Sequence, residues 1–491
     1  MKSQTHKPIE DSGLREVRNL VTRLLTPEVF QGLENGSASF SKPWKKQGVR
    51  FPVVGKVLCA FVLSLWFSSA VADEIVKPEH IVQAALAHSP ALQMAAGDER
   101  ATAARMQQAR AAGQLNLSAD ARAAHYWGLS DQTLGPQIVI PGVPDRYGAG
   151  IQATQPLFTG GRVTRERAAA NFAHTAAGHA QRGATADVTL AALSAYWDWS
   201  KAVNAVASFR AAVQRVEQHN TDMQNGRKAG LVTESDALAT TVQMENTRLQ
   251  LAEAGRRVET ARAQLAYLMG RELPAAAQPL ALAAQVPETN AGEKALVDLA
   301  RTNRAEAAAR KFEVRAAEEQ MEAARAEGRP QFALTARYEQ MRPNMLDIPP
   351  ADEWNYDAFV GVTASWNIFD SGLTRAKVAE AAARRDQARQ RLQQTSDQIT
   401  LEVRAARVNL ANACERLVVA RRTVESATRS LKAADDLWKN GLTRHVELLD
   451  AHAQLTAAEY QSIAASADVE LARVALEHAM GKLNGGDGVR E

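Results

Sequence analysis

Cysteine is almost missing from this chain, which has only Cys59 and Cys414 in 491 residues. Cys59 lies in a segment that we expect to be removed, so the remaining chain has no second cysteine for an internal disulfide. Aromatic residues are also scarce, at 5% of the sequence, although 46% of it is apolar and alanine is abundant. This composition favours closely packed helices over a large aromatic core.

Sequence motifs of common enzymes are missing as well. The chain has no His-Glu-x-x-His, no Gly-x-Ser-x-Gly and no phosphate-binding glycine loop followed by lysine. His445 and His452 are seven residues apart without carboxylate or thiol companions, a pattern more typical of packing or surface histidines than of metal ligands. The sequence therefore predicts no enzyme, no cofactor and no metal site.

The net charge of +3 comes from the first part of the chain. Residues 1–72 hold ten Lys or Arg against five Asp or Glu, which leaves −2 for residues 73–491. A nearly neutral chain gives no reason to expect nucleic acid binding.

An export signal is predicted in the same region. Basic residues, the last of them Arg50 and Lys56, precede an apolar run at 57–67 that ends in Ala70-Val71-Ala72. This order is typical of a secretory signal peptide, here cleaved after Ala72. The alternative is a membrane anchor, but the apolar run is well short of the roughly 20 residues that a helix needs to span a bilayer. We therefore expect residues 1–72 to be an N-terminal extension plus a signal peptide.

The sequence repeats itself at an offset of 211 residues. Gly150–Gly161 and Gly361–Gly372 share their terminal glycines and a phenylalanine, and the same offset pairs Gly230-Leu231 with Gly441-Leu442. A constant register over such a length indicates an internal duplication. We predict a first structural repeat at 73–270, a linker at 271–292, a second repeat at 293–483 and a short tail at 484–491.

Each repeat is predicted to contain helices and a β-hairpin. Helices are expected at 78–112 and 293–327, and polar–apolar alternation predicts strands at 116–123, 147–158, 331–338 and 356–369. Loops with proline and glycine, at 128–145 and 341–355, separate the strands. Long helices follow, reverse at 226–233 and 440–443, and return at 234–268 and 444–480.

The second long helix has a regular heptad pattern. Large apolar residues recur every seven positions, and an alanine lies three positions after each of the first five; the large residues are Val403, Leu410, Leu417, Val424, Leu431 and Trp438. Such a seam predicts unusually close helix packing. The helices taken alone would favour an ordinary coiled coil.

The strands have the length and pattern of membrane strands. About ten residues, with one polar and one apolar face, match a tilted strand that crosses a bilayer. Four strands in one chain cannot close a sheet, and open edges are essentially forbidden in lipid, so closure implies several chains. The alternative is a soluble four-stranded sheet packed on helices.

The strand-to-helix corners and the helical turns resemble those of TolC-type outer membrane efflux proteins. The corners run from Gln155 through Pro156, Phe158 and Gly160-Gly161 to Arg162, and from Asn367 through Phe369 to Gly372; the turns are 228–232 and 438–443. The resemblance spans 76–483. It implies a mainly α fold with a β-barrel: a trimeric outer membrane barrel, four strands per chain, continuous with a long periplasmic α-helical barrel.

The resemblance also implies a set of aperture residues. Glu447 and Asp450 lie three apart on one helix face and resemble the acidic stretch that lines the closed periplasmic aperture of the family. In a threefold assembly these two residues would form two stacked acidic rings, and rings of carboxylates favour cations. Asp236 matches the family's aspartate on the partner helix, which helps to latch the aperture shut. The position of the family's latch arginine is occupied here by Thr443, with Arg444 next to it. The alternative for these acids is a solvated helix face.

The turns Gly230-Leu231 and Gly441-Leu442 are expected to bind an adaptor protein. The alternative is that these residues serve only to end one helix and start the next. The resemblance implies a passive outer membrane channel of a tripartite efflux or type I secretion system, with a large periplasmic portion. Its partners would be two further copies of the chain, a periplasmic adaptor, an inner-membrane transporter and outer membrane lipid. The alternative is an exported structural coiled-coil protein with a small sheet.

Overall fold

The computed structural model describes residues 75–135, 138–140, 142–282, 292–344 and 351–483. The predicted extension and signal peptide at 1–72, part of the predicted linker, and the predicted tail at 484–491 lie outside these residues. The described part is mainly helical, with one four-stranded sheet and two long helical hairpins.

The elements follow one another in the order that the repeat predicts. The helices of the first half are α1 (Pro78–His88), α2 (Pro90–Ala111), α3 (Arg162–Lys228) and α4 (Glu234–Met269). Its strands are β1 (Ile75–Val76), β2 (Asn116–His125), β3 (Gln132–Leu134), β4 (Ile138–Ile140) and β5 (Asp145–Phe158). After β6 (Gln278–Pro279), the second half has helices α5 (Glu293–Asn303), α6 (Ala305–Ala326), α7 (Leu373–Lys439) and α8 (His445–Ala479), with strands β7 (Gln331–Arg342) and β8 (Asn355–Ser365).

The first helix of each half is broken, although the sequence predicts continuous helices there. The helix breaks at Ser89 because Pro90 has no N–H to donate to the preceding turn. The Ser89 Oγ accepts a hydrogen bond from the Leu92 N–H and so caps the start of α2. The break between α5 and α6 lies at Arg304, which is extended and buried. Its guanidinium pairs with Glu306 and Glu402, each at 2.9 Å, and these ion pairs compensate the buried charge.

The sheet has the antiparallel order β2-β5-β7-β8, so β2 and β8 form its two edges in a single chain. β8 ends at Ser365, earlier than the predicted 369, and Trp366 instead donates its Nε1–H to the Gly328 carbonyl at 3.1 Å. The short hairpin β3–β4 lies in a segment that the sequence predicts to be a loop.

The register places polar positions on one face of the sheet. Asp120 lies opposite Gly150, which lies opposite Glu339 on β7. Because the glycines of β5 have no side chains, Arg122 of β2 reaches over the strand to Glu339 at 2.6 Å. The opposite face is apolar and exposed, and it includes Leu117, Ile151, Val360 and Val362. The predicted division into a polar and an apolar face is confirmed.

The predicted heptad seam is confirmed as the core of the α7–α8 pair. Val403, Leu410 and Leu417 are buried, and Val424 and Leu431 pack at the edge of a smaller cluster. The alanines between them are buried too: Ala406, Ala413, Ala420 and Ala427. A second core surrounds Tyr196 and Trp199 on α3, near β1 and β6. Together these cores hold the long helices beside one another.

Among the described residues, the helices are too polar for any of them to cross a membrane.

Candidate functional site at the helical tips

The two long hairpins end in turns of the same geometry. In the first, the Leu231 N–H donates to the Gly226 carbonyl at 2.9 Å, and Gly230 has a φ of +73°. In the second, the Leu442 N–H donates to the Leu437 carbonyl at 2.9 Å, and Gly441 has a φ of +71°. Left-handed glycines in this pattern terminate helices. Each is followed by a leucine that is 81% or 73% exposed.

The predicted aperture residue Asp236 takes part in a helix cap. Its backbone N–H donates to Thr233 Oγ1 at 3.1 Å, and the Thr233 hydroxyl donates to Asp236 Oδ2 at 2.7 Å. This reciprocal arrangement resembles a capping box and satisfies the first turn of α4. Among the described residues, no hydrogen bond or ion pair joins Asp236 to Arg444.

Thr443, Arg444 and Glu447 meet at the start of α8. The Thr443 hydroxyl donates to Glu447 Oε2, and Arg444 Nε lies 3.3 Å from Glu447 Oε1. The Thr443 hydrogen bond and then the bond from Arg444 hold the pKa of Glu447 below its usual value. Asp450 follows one turn later and is exposed. Both carboxylates therefore lie on the outer face of α8, away from the core of this chain.

Side chains from both repeats also meet behind these residues. The Nε2 of His445 lies 2.7 Å from the hydroxyl of Thr240 on α4, and the His445 ring lies 5.1 Å from that of Trp438. The ring of His219 on α3 stacks between His445 and His452. The sequence predicts that His445 and His452 are packing or surface residues, and its motifs give no prediction for His219. One signal was present: His219 precedes Gly230 by eleven residues, and His452 follows Gly441 by eleven.

The strand-to-helix corners share a left-handed glycine before the long helix. Gly161 and Gly372 are the N-cap residues of α3 and α7, with φ of +93° and +89°. In the first corner, a Cβ on Gly160 would lie 2.7 Å from the Cβ of Arg329, which donates to the Gly160 carbonyl at 3.0 Å.

The apolar residues of the two corners differ in their surroundings. Phe158 packs near Phe332, with ring centroids 6.2 Å apart, and lies beyond Pro156 near the end of β5. Phe369 is 84% exposed. In the second corner the Asp370 carboxylate accepts bonds from the N–H groups of Gly372 and Thr374. The interaction with the Thr374 side chain is the first cause of the lowered pKa of Asp370, and the Thr374 N–H is the second.

The part of the chain that the structure describes contains no group of three or more His, Cys, Asp or Glu placed to hold a metal ion.

Several solved structures share the fold of this chain. CusC, in a structure concerned with transmembrane channel formation, is 18% identical, with a TM-score of 0.70 over 82% of this chain and 92% of CusC. The outer membrane protein VceC of Vibrio cholerae is 19% identical, with a TM-score of 0.69 over 82% of this chain and 96% of VceC. The open state of the Neisseria gonorrhoeae MtrE outer membrane channel is 20% identical, with a TM-score of 0.67 over 83% and 89%.

No curated protein sequence matches the chain significantly. The sequence pattern of the outer membrane efflux protein family, however, matches residues 81–271 and 296–482, one match for each half of the duplication. These matches cover most of the described residues, and the solved relatives share the fold of long helical hairpins with a small sheet. The chain therefore belongs to the outer membrane efflux protein family, the TolC-type family that its corners and turns resemble.

Proposed function

We propose that this protein is the outer membrane channel component of a tripartite efflux or type I secretion system. Three copies would form the conduit, and an inner-membrane transporter would deliver cargo through a periplasmic adaptor. The observation that carries the proposal is the sheet β2-β5-β7-β8, which has an exposed apolar face and two edges that pair with no further strand among the described residues. In lipid such edges must pair, so further copies are needed to complete the barrel.

The proposal assigns a place to each part of the chain. Residues 1–72 would be removed on export, and the two repeats, 73–270 and 293–483, would be joined by the linker 271–292 with a short tail at 484–491. The sheet would lie in the outer membrane, and the long helices would extend into the periplasm as an α-helical barrel. The corner residues Pro156, Phe158, Gly160, Gly161, Phe369 and Gly372 would turn the chain from one barrel into the other.

The helical tips would form the periplasmic aperture. Glu447 and Asp450 lie on the exposed face of α8, and threefold repetition would stack them into two acidic rings. Thr443 and Arg444 would hold the Glu447 side chain in place, as they do within one chain. Asp236 would belong to the neighbouring wall of the aperture, at the start of α4.

The exposed leucines support the proposed docking surface. Leu231 and Leu442 lie at the extreme ends of the hairpins, each beside a left-handed glycine, Gly230 or Gly441. Large apolar side chains exposed at a turn are suited to burial against another protein. We propose that they bind the adaptor and that the conduit is passive, opened by its partners without chemistry of its own.

The aperture proposal predicts a change in ion selectivity. Reversal potentials across planar bilayers in a salt gradient should show cation selectivity for the wild type, because the acidic rings attract cations. The double variant Glu447→Ala/Asp450→Ala should lose much of that selectivity and conduct more. The matched control is Glu253→Ala/Glu259→Ala, which removes two exposed carboxylates from α4 far from the tip. Equal reversal potentials for all three proteins would remove Glu447 and Asp450 from the constriction.

A further inference from the structure

Three histidines form a continuous stack inside the helical tip, and the proposed channel function leaves them unexplained. The ring centroid of His219 lies 5.2 Å from that of His445 and 5.6 Å from that of His452, with interplanar angles of 27° and 30°. The Trp438 ring contacts the His445 end of the stack at a tilt of 54°, with the two ring centroids 5.1 Å apart. The histidine stack, defined as His219, His445 and His452, therefore bridges α3 of the first repeat and α8 of the second.

The hydrogen bonds of Thr240 fix the tautomer of His445. The Thr240 hydroxyl donates its one proton to the Asp236 carbonyl at 2.9 Å, so it accepts from His445 Nε2–H at 2.7 Å. Neutral His445 then has an unprotonated Nδ1, and this atom is buried without a hydrogen-bond partner among the described residues. Burial lowers the pKa of His445, while the charge of Asp236 opposes the change. The bare Nδ1 is a proton acceptor held away from water.

His219 at the centre of the stack is the histidine most resistant to protonation. Burial, followed by the neighbouring His445 and His452, lowers its pKa from 6.5 to about 4. Asp222 and Asp435 act in the opposite direction. The buried Nε2 of His219 also has no hydrogen-bond partner among the described residues. At neutral pH this ring is therefore uncharged.

The groups around His452 also lower its pKa overall. Burial and the charge of Arg215 lower the pKa of His452, with a smaller lowering from His445, and Asp435 raises it. Arg215 is itself paired with Glu459 at 2.9 Å. The charged groups facing the stack from α3, α4, α7 and α8 thus only partly offset the cost of placing a charge there.

We propose that the histidine stack is a proton-operated latch, in which neutral rings hold α3 against α8 and protonation separates them and opens the tip. The latch rests on the proposed aperture, because separating these helices moves the α7–α8 hairpin that holds Glu447 and Asp450. A metal-binding role is not favoured, since the three rings stack face to face and form no metal-ligating group among the described residues.

The direction of the pH effect follows from proton binding. In a separated tip the histidines regain a pKa near 6.5, so the separated state binds more protons below that pH, and acid favours it. The closed state is fully favoured above pH 6.5, and its advantage declines as the pH falls towards 4. For His219 alone, a change from pH 8 to pH 5 shifts the equilibrium towards separation by about 30-fold.

The test is the open-to-closed ratio of single channels at symmetric pH 8 and pH 5, recorded in planar bilayers with a chelator present. We expect acid to raise the ratio by about 30-fold or more in the wild type, because His219 alone accounts for about 30-fold. His219→Phe keeps an aromatic ring without a titrating nitrogen and should show a much smaller increase. His452→Phe removes one titrating ring but leaves His219, so its increase should lie between those of the wild type and His219→Phe. His80→Phe, an exposed position on α1, is the matched control and should respond like the wild type.

Acid also neutralises carboxylates, so the comparison between variants decides the question. An unchanged acid response in both Phe variants would assign the effect to other groups and overturn the latch. A wild-type channel with the same ratio at both pH values would overturn it too.

A second readout does not depend on conduction. Hydrogen exchange of residues 215–225 and 440–455, corrected for the intrinsic effect of pH, should lose protection at pH 5 in the wild type and keep it in His219→Phe. If no protein conducts but this exchange pattern appears, the channel proposal fails and the latch stands. If the wild type conducts and its tip keeps full protection at pH 5, the latch fails and the channel stands; this arm needs no variant to fold.

Discussion

At the scale of single residues, the hydroxyl of Tyr196 joins three separate parts of the chain. It donates to the Val76 carbonyl at 2.9 Å and accepts from the Leu280 N–H at 2.9 Å, while its ring packs edge-on against Trp199. Val76 lies on β1 and Leu280 directly follows β6, so this one side chain on α3 fixes the short parallel pair β1–β6 to the long helix. The sequence shows the aromatic residues of this region but not this connection.

Replacing Tyr196 by Phe should therefore loosen that attachment. The ring packing remains, but the Val76 carbonyl and the Leu280 N–H lose their partner, at a cost of about 1–3 kcal/mol. Hydrogen exchange of residues 75–82 and 278–282 should become faster, and the thermal midpoint should fall. Tyr267→Phe, at a side chain that is 76% exposed, is the control and should change neither quantity. Unaltered protection in Tyr196→Phe would show that the two bonds contribute nothing.

The residues at the tip show what spacing can and cannot predict. Glu447 and Asp450 lie on one exposed helix face, as a separation of three residues requires. Their roles in an aperture stay predictions. The contact between Thr240 and His445 joins residues 205 positions apart, and no periodicity within one helix can reveal such a contact. The stack around His219 was missed for the same reason.

At the scale of elements, the long helices begin at backbone positions that strongly favour glycine. Gly161 and Gly372 have φ near +90°, a region that residues with a Cβ rarely adopt. The chain must turn there from a strand into a helix of 67 residues. The offset of 211 residues pairs these two glycines, so the sequence predicts that the two corners correspond.

Alanine at either corner should therefore destabilise the protein. We expect Gly161→Ala or Gly372→Ala to cost about 1–2 kcal/mol, since a left-handed residue with a Cβ is strained. The control is Gly255→Ala, inside α4 with open space around it, which should stabilise by roughly 0.5–1 kcal/mol. Thermal unfolding of the assembled protein measures both effects. A corner variant that melts at or above the wild-type midpoint would contradict the assigned role of these glycines.

The types of the long elements could be predicted because their patterns extend over many residues. The heptad seam of α7 and the two faces of β5 follow from periods of 3.5 and 2. The breaks at Ser89 and Arg304 were missed: one depends on a single proline, and the other on ion pairs to Glu306 and Glu402. The hairpin β3–β4 has strands of three residues, too short for alternation to show.

At the scale of the whole molecule, a single chain leaves the sheet incomplete. Within the part of the chain that the structure describes, β2 and β8 have no partner strand on their outer sides, and Val360 and Val362 are 74% and 63% exposed on the apolar face. The helices α3 and α7 are each about 100 Å long at 1.5 Å per residue. Under the proposed function the sheet lies in the membrane and the long helices extend into solution, and membership of the outer membrane efflux protein family supports this proposal.

Single-channel conductance of purified residues 73–491 in planar bilayers tests the central claim most directly. If several copies close the sheet into a barrel that continues between the long helices, verified folded assemblies should insert and give discrete, uniform current steps. Buffer and detergent alone, as the control, should give none. Folded assemblies of the chain that insert into the bilayer and carry no current at any applied voltage or pH would contradict the conduit.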